Sequence, residues 1–108
     1  MQKRKYRGRN PLRKTEILDK AIELSERITY HLVNYTNLSE HSELPVPIIF
    51  HYFRSKKDLK KAIIRYAIEK EHLSLIAQGL VARDEAFLQE TPLHLKTRAF
   101  KHIEKNMV

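Results

Sequence analysis

Apolar side chains recur at helical spacing along most of the chain. They return every three or four residues with charged residues between them, which is the pattern of helices that bury one face. The alternation expected of strands is not sustained in any segment, and there is no internal repeat or low-complexity run. The first apolar stripe consists of Ile17, Leu18, Ala21, Ile22, Leu24 and Ile28. The pattern therefore predicts an all-α protein.

A second, shorter helix is predicted to begin after Asn34. The apolar pattern lapses from Thr29 to Val33 and resumes with Tyr35 and Leu38, which would face inward. Asparagine is a favoured residue before a helix because its side-chain oxygen accepts a hydrogen bond from a first-turn amide. Asn34 is therefore the expected cap of this helix.

Two prolines separate the second helix from a third. Pro45 and Pro47 each lack an amide hydrogen and restrict the residue before them, so the segment around them is expected to be a turn. Pro47 can nevertheless stand at the opening of a helix, where its amide would have no partner. A short third helix is predicted over 48–52, with Phe50 and Phe53 as its expected anchors.

A long fourth helix is predicted to start at Lys56. Ser55 stands three residues before Asp58, which is the spacing of a capping box. The apolar stripe then continues for more than 20 residues, from Leu59 to Leu80, and is interrupted only where Lys70 intervenes. One continuous helix is the simplest interpretation, with Gly79 at its frayed end.

Weaker signals mark the C-terminal part of the chain. Residues 81–88 show a faint helical pattern, and Thr91 followed by Pro92 signals the start of a last helix. The expected buried face of this helix consists of Leu95, Ala99, Phe100 and Ile103.

Length and composition restrict the class of protein. A chain of 108 residues, 42% hydrophobic and 31% charged, fits one globular domain and not a two-domain enzyme with a deep cleft. It has no cysteine, which excludes disulfides and thiolate metal ligands and fits a reducing compartment. No apolar stretch approaches the length of a membrane span, and no signal-peptide core follows the N-terminus. The expectation is a soluble, cytoplasmic protein with no membrane partner.

The positive charge is concentrated at the N-terminus. The formal net charge is +8, and residues 1–14 hold seven of the 21 basic side chains and no acid. These seven are Lys3, Arg4, Lys5, Arg7, Arg9, Arg13 and Lys14. The segment is interpreted as a flexible arm that binds phosphate or reaches into a minor groove of DNA. A solubilising tail is the alternative.

The residue patterns typical of enzyme active sites are not found in the sequence. The six histidines do not form a metal-binding pair with a glutamate at i, i+4 spacing. There is no glycine-rich phosphate loop, no activated serine signature and no carboxylate cluster with a plausible cleft. We expect no catalytic residue, no metal and no cofactor.

Two short helices joined by a tight turn form a helix-turn-helix, whose second helix can enter the major groove of DNA. Residues Ile17 to Leu24, then Tyr30, then Leu38-Ser39-Glu40, then Ile49 to Leu59 resemble the DNA-binding domain of TetR-type transcriptional regulators. The resemblance covers roughly residues 13–68 without a gap. Its most specific part is the aromatic end of the third helix followed by Ser-Lys-x-x-Leu.

The resemblance implies a TetR- or homeodomain-like three-helix core, followed by the long fourth helix and one or two C-terminal helices. Tyr35 to His41 would be the supporting helix and Val46 to Tyr52 the recognition helix, with Lys56 and Lys57 in the helix that touches the DNA backbone. Family practice puts phosphate contacts at the positions of Phe50, Tyr52 and Lys56. Phenylalanine at position 50 replaces the usual tyrosine and cannot donate that hydroxyl hydrogen bond.

Departures from the family concentrate in the recognition helix. Glu43 replaces the usual turn glycine and Pro45 a frequent capping serine. Val46, Pro47 and Ile48 stand where small or polar residues usually face the DNA. Few hydrogen bonds to base edges are therefore available, and apolar contact with the thymine methyl group is the alternative.

The candidate DNA-binding residues are the cations of the arm and the exposed polar or apolar positions of the helix-turn-helix. They are Lys3, Arg4, Lys5, Arg7, Arg9, Asn34, Tyr35, Val46, Pro47, Ile48, His51, Tyr52, Arg54, Lys56 and Lys57. His51 and Tyr52 are the main polar candidates for base contact. Lys60 and Lys61 extend the cationic cluster, for which a solvated helix face is the alternative. Ile49 is expected in the core.

The sequence predicts three segments and leaves two hypotheses for the function. Residues 1–14 form the arm, 15–68 the DNA-binding domain and 69–108 a helical extension that is expected to form a homodimer. About 40 residues after the match are too few for the family's ligand-binding domain, so no small-molecule effector is expected. The leading hypothesis is a small repressor that binds double-stranded DNA. The alternative is a protein-interaction module whose apolar tip, residues 46–48, contacts a protein partner.

Overall fold

The structure is a computed structural model that describes residues 11–106. This part of the chain is entirely helical, as the sequence predicts, and contains no strand. A single 3₁₀ turn, Tyr30–Leu32, follows the first helix. The α-helices are α1 (Pro11–Ile28), α2 (Tyr35–Ser42), α3 (Val46–Tyr52), α4 (Lys56–Glu69), α5 (Leu73–Val81), α6 (Glu85–Glu90) and α7 (Leu93–Asn106).

Helix α1 begins earlier than the sequence analysis expects. It starts at Pro11, inside the segment 1–14 that is predicted as a flexible arm. Proline is tolerated in the first turn of a helix, where its missing amide hydrogen would have no partner. Arg13 pairs with Glu16 one turn later, at 3.4 Å between Nη1 and Oε1. The last residues of the predicted arm are therefore helical.

The short helix α2 is capped as predicted. The amide of Asn37 donates to the side-chain oxygen of Asn34 at 2.9 Å, and the amide of Asn34 donates back to the side-chain oxygen of Asn37 at 2.8 Å. Helix α2 ends at Ser42, and the next residue, Glu43, adopts a left-handed conformation with φ of 64°. A glycine reaches this conformation at less cost, so the geometry that the turn glycine usually supplies is present here without a glycine.

One face of α3 anchors it to the core, and two of the three residues predicted to be buried there are buried. Ile49 is fully buried and Phe53, directly after the helix, is 2% exposed. Phe50 is 48% exposed, so its predicted anchoring role is wrong. Neighbouring residues on a helix point about 100° apart, and the burial of Ile49 therefore turns Phe50 away from the core.

The predicted long fourth helix is two helices. Helix α4 ends at Glu69, and Glu71 takes a left-handed conformation with φ of 53°. The amide of His72 donates to the carbonyl of Ala67 at 2.8 Å, which closes the end of α4. The Nδ1 atom of His72 accepts from the Leu75 amide at 3.4 Å, which caps α5. The reversal lets α5 fold back against α1 and α4.

Helix α5 is the centre of the C-terminal half. Its residues Leu75 and Ile76 are fully inaccessible to solvent. Gly79 lies inside this helix and does not end it, contrary to expectation. The ring of Phe87 from α6 packs on the backbone at Gly79, in the space that any side chain would occupy. Phe87 also meets the ring of Tyr30 edge to face, with centroids 5.2 Å apart.

The last helix follows the predicted start after Thr91 and Pro92. Helix α7 packs along α5 and buries Leu95 and Ala99. Phe100 is 51% exposed, so its assignment to the buried face is wrong. It lies one residue after Ala99 and therefore points about 100° away from it around the helix axis. None of the helices within residues 11–106 is long and apolar enough to cross a membrane.

The contact between Gly79 and the Phe87 ring predicts how a substitution at position 79 changes stability. Alanine at position 79 places a Cβ atom on the ring carbons of Phe87. We expect Gly79→Ala to lower the free energy of unfolding, because this overlap costs more than the roughly 1 kcal/mol that alanine gains over glycine in a helix. Urea denaturation followed by circular dichroism measures the change. Val81→Ala, at an exposed position of the same helix, is the control and should leave the midpoint nearly unchanged. A midpoint for Gly79→Ala at or above that of the original protein would contradict the packing.

Candidate nucleic-acid interface

The exposed face of α3 is almost entirely apolar. Val46 and Phe50 are 39% and 48% exposed, and Pro47 and His51 are exposed beside them. These four positions fall on one side of the helix, opposite the buried Ile49. The helix has the bounds that the family resemblance implies, Val46 to Tyr52. His51 is the one polar side chain on this face.

Two candidate base-contacting residues lie at the flank of the helix. Ile48 and Tyr52 are half-buried, and Tyr52 packs against the core. The rings of His51 and Tyr52 meet edge to face with centroids 5.1 Å apart. Phe50 takes the outward position that the sequence analysis gives to Ile48. Burial of Ile49 fixes the rotation of α3 about its axis, and this rotation turns Phe50 to solvent.

Tyr35 and Asn34 have structural roles in this arrangement. The hydroxyl of Tyr35 donates to the carbonyl of Phe53 at 2.6 Å and so ties α2 to the end of α3. Burial raises the pKa of this hydroxyl, and the negative charge of Asp58 raises it further. The side-chain oxygen of Asn34 is used in the cap of α2. The hydroxyl hydrogen of Tyr35 is thus directed at a backbone carbonyl and not at a phosphate.

Cations surround the start of α4, directly after α3. Arg54, Lys56 and Lys57 are exposed. The hydroxyl of Ser55 accepts from the amide of Asp58 at 3.0 Å and caps the helix, as expected from their spacing. The positive end of a helix dipole adds to the side-chain charges here.

A cationic stripe continues along α4. Lys57, Lys61 and Arg65 are spaced four residues apart, which places them on one exposed face. Arg65 is not among the candidate residues named from the sequence, although its i, i+4 spacing from Lys61 indicates that it lies on the same helix face. Its Nε atom lies 3.4 Å from Oε1 of Glu90 in α6, an exposed ion pair. Exposed pairs of this kind contribute about 0–1 kcal/mol to stability.

An open groove of about 430 Å³ joins α3 to this stripe. It lies between the start of α1, the end of α3 and one side of α4. Its lining includes His51 and Tyr52 together with the cations Lys14, Arg54, Lys61 and Arg65. Asp58 and Glu69 are its acids. The polar end of α3 and cations from three parts of the chain therefore share one side of the molecule.

Lys14 enters this groove from α1. Its Nζ atom lies 5.8 Å from the centroid of the Phe53 ring, within range of a cation–π interaction. Tyr66, also in the lining, donates from its hydroxyl to Oδ1 of Asp19 at 2.5 Å and joins α4 to α1. Burial and the hydrogen bond to Asp19 raise the pKa of Tyr66 to about 12. The arm residues Lys3, Arg4, Lys5, Arg7 and Arg9 lie outside the described residues.

Lys60 lies beside Lys57 and Lys61 on α4 and makes an ion pair. Its Nζ atom lies 3.2 Å from Oδ2 of Asp84, which precedes α6, and 5.8 Å from the centroid of the Tyr30 ring. Together with Lys56 and Lys57 it lines a second groove, which includes Tyr30 and His31. Within the expected lysine cluster, Lys60 is therefore engaged in an ion pair.

Asp84 connects three elements of the fold. Its carboxylate accepts from the hydroxyl of Tyr30 at 2.7 Å, from Lys60, and from the amide of Ala86 at 3.0 Å. Burial by itself raises the pKa of the Asp84 carboxyl, but these three hydrogen bonds outweigh it and hold the pKa below its ordinary value. Burial and the adjacent carboxylate raise the pKa of Tyr30.

Two other histidines, His41 and His72, pair with acids of α1. The Nε2 atom of His41 lies 3.1 Å from Oε1 of Glu23, and the Nε2 atom of His72 lies 3.0 Å from Oε2 of Glu26. The hydrogen bond with His41, together with the charge of Lys20, lowers the pKa of Glu23. Within residues 11–106 no group of three or more histidine and acidic side chains could hold a metal ion.

Comparison with known proteins leaves the functional argument to this geometry. No protein-family model, no curated protein and no solved structure gives a significant match to the chain. What the fold and the surface define is an all-α protein with an apolar helix face beside a cationic groove.

The contacts of Asp84 predict a pH-dependent contribution to stability. Its pKa in the folded protein lies below the unfolded value of about 3.9, so its contribution is present above that pH and is lost as pH falls through the folded pKa. We expect Asp84→Asn to lower the free energy of unfolding by about 2 kcal/mol at neutral pH, because hydrogen bonds to a charged group are weakened. The deficit should shrink below about pH 4. Urea denaturation across the pH range measures it.

Glu104→Gln provides the matched control, because Glu104 is an exposed acid on α7. It should change stability little at any pH. An Asp84→Asn deficit that stays constant as the pH falls would show that the carboxylate charge is not what stabilises the junction.

Proposed function

We propose that this chain is a small cytoplasmic transcriptional regulator of the repressor type that binds double-stranded DNA. Helix α3 enters the major groove, and cations on either side of it contact the sugar-phosphate backbone. The observation that carries the proposal is the groove in which His51 and Tyr52 of α3 lie with Lys14, Arg54 and Lys61. Cations near a protruding short helix supply the phosphate contacts that position such a helix on a duplex.

The arrangement of α1 to α4 supports a TetR-like assignment of roles. Helices α2 and α3 pack against one another and are joined by a three-residue turn, residues 43–45. Helix α2 would be the supporting helix and α3 the recognition helix. The start of α4, with Lys56 and Lys57, would meet the backbone. The major groove of DNA is wide enough to admit one helix of this kind.

The N-terminal cations extend the proposed interface. Helix α1 begins at Pro11, one turn before Lys14, and Lys14 lines the groove. Lys3, Arg4, Lys5, Arg7 and Arg9 directly precede that helix in the sequence. Their proposed role is phosphate or minor-groove contact, which raises affinity for any duplex.

One observation favours a protein partner instead. Val46, Pro47 and Phe50 form an exposed apolar face, and such faces also mark sites of protein association. On this alternative the fold is a protein-interaction module and the cations serve only solubility. The dependence of binding on salt separates the two functions, because release of counterions from DNA makes duplex binding steeply salt-dependent.

The phosphate contacts of α4 predict a change in salt dependence. Affinity for random duplex DNA is measured by fluorescence anisotropy at several salt concentrations. Replacing Lys57 and Lys61 with glutamine should lower affinity for all sequences and reduce the slope of log K against log salt by about 2, because each phosphate contact contributes about 0.9. The control replaces the exposed residues Lys101 and Lys105 of α7 with glutamine. It removes the same charge from another helix. Equal slopes for the two double variants would rule out the α4 stripe as the phosphate-binding surface.

A homodimer is part of the proposal. Two copies would place two recognition helices on successive turns of the duplex. The exposed apolar side chains of α7, Leu93 at 77% and Phe100 at 51%, support this helix as the dimer contact.

Sedimentation equilibrium tests the dimer directly. We expect a species of twice the 12.9 kDa monomer mass at micromolar concentration. Phe100→Glu should return it to the monomer, because a charge would be buried in the contact. Arg83→Glu, an exposed change outside α7, is the control. A monomer for the unchanged protein at these concentrations would exclude the dimer.

A further inference from the structure

The outward face of α3 carries no hydrogen-bonding side chain at three of its four positions. Val46, Pro47 and Phe50 present only carbon to solvent, and His51 is the exception. The opposite face of α3, which carries Ile49, is packed in the core and is not accessible to a partner. A macromolecule that meets this face therefore meets a hydrocarbon surface.

The ring of Phe50 packs against a neighbouring ring in the free protein. It lies 5.8 Å from the ring of Tyr35, tilted by 60°. Tyr35 is itself fixed by its hydrogen bond to the Phe53 carbonyl at 2.6 Å. A surface that is ordered in advance loses little conformational entropy on binding. Phe50 is thus a preformed apolar contact at the centre of the exposed face.

The charges around the face select its partner. Arg54, Lys56 and Lys57 are exposed and follow α3 directly in the chain. Lys14 and Lys61 share a groove with its last residues. An apolar face within such a cluster of cations is complementary to a polyanion that carries apolar groups between its charges. Duplex DNA meets this description in its major groove.

The major groove has one apolar group on its base edges. Every base pair presents hydrogen-bond donors and acceptors there, and thymine alone adds a methyl group, at C5. Methylated cytosine carries the same group at the same ring position. A hydrocarbon face distinguishes bases by these methyl groups, since it lacks partners for the polar atoms.

We infer that Val46, Pro47 and Phe50 read the 5-methyl group of pyrimidines, so that the preferred duplexes carry thymine or 5-methylcytosine in the major groove against α3. This inference rests on the proposed function and names the feature of DNA that the same helix recognises. Phe50 makes the principal contact, and Arg54, Lys56 and Lys57 bind the phosphates irrespective of sequence.

The test removes the methyl group and leaves the rest of the duplex in place. One pool of short random duplexes is copied either with thymidine or with deoxyuridine triphosphate, and affinity is measured by competition in fluorescence anisotropy. We expect the thymine pool to bind more tightly, by about fourfold for each methyl that the face covers. A second pair of pools, with cytosine or 5-methylcytosine in an otherwise uracil-containing duplex, should favour the methylated form.

Two phenylalanine variants locate the effect. Phe50→Ala should reduce the preference for methylated pools towards unity while salt-dependent binding remains. Phe100→Ala is the matched control, because Phe100 has nearly the same exposure and lies on α7. It should leave the preference for methylated pools unchanged, even where loss of a dimer contact lowers affinity for every pool equally. Circular dichroism checks that both variants are folded.

Three results would overturn the inference, and they are distinguishable. Equal affinity for thymine and uracil pools, with salt-dependent binding to both, would leave the proposed DNA-binding function standing and remove methyl recognition. A preference that survives in Phe50→Ala would assign it to DNA shape or to another residue. Absence of binding to every pool would remove the proposed function together with this inference and favour a protein partner for the apolar face.

Discussion

Burial of Ile49 sets the orientation of α3, and the proposed interface depends on that orientation. The helix has only seven residues, so it can direct a single face to the core. Once Ile49 is buried, the rotation of the helix turns Val46, Phe50 and His51 outward. The hydrogen bond from Tyr35 to the Phe53 carbonyl then holds the end of the helix against α2. The surface is a consequence of packing beneath it.

The charged side chains of α4 have two different environments. Lys57 and Lys61 are exposed, whereas Lys60 pairs with Asp84 and Arg65 with Glu90, both of which belong to the C-terminal half. The junction at Asp84 also includes the hydroxyl of Tyr30, so the segment after α1 is tied to the turn before α6. The same helix therefore presents exposed cations and also joins the two halves of the fold.

Several local features were predictable because they depend on neighbouring residues alone. Asn34 caps α2, Ser55 caps α4, and α7 begins after Pro92, all from side chains or restrictions that act within one helical turn. The break after Glu69 was marked in the sequence only by the interruption of the apolar stripe at Lys70, and the stripe resumes directly afterwards. The left-handed conformation of Glu71 ends the helix, and the packing of α5 against α1 and α4 accompanies it.

The amino-acid sequence by itself determined the helical class, the capped helix starts and the concentration of cations around residue 56, because these follow from periodicity, short-range hydrogen bonding and composition. Tertiary structure alone decided that Phe50 points outward, that Gly79 lies under the Phe87 ring and that Lys14 joins Lys61 in one groove. These outcomes depend on which helices pack together. Residues far apart in sequence acquire a common surface only when the core beneath them is assembled.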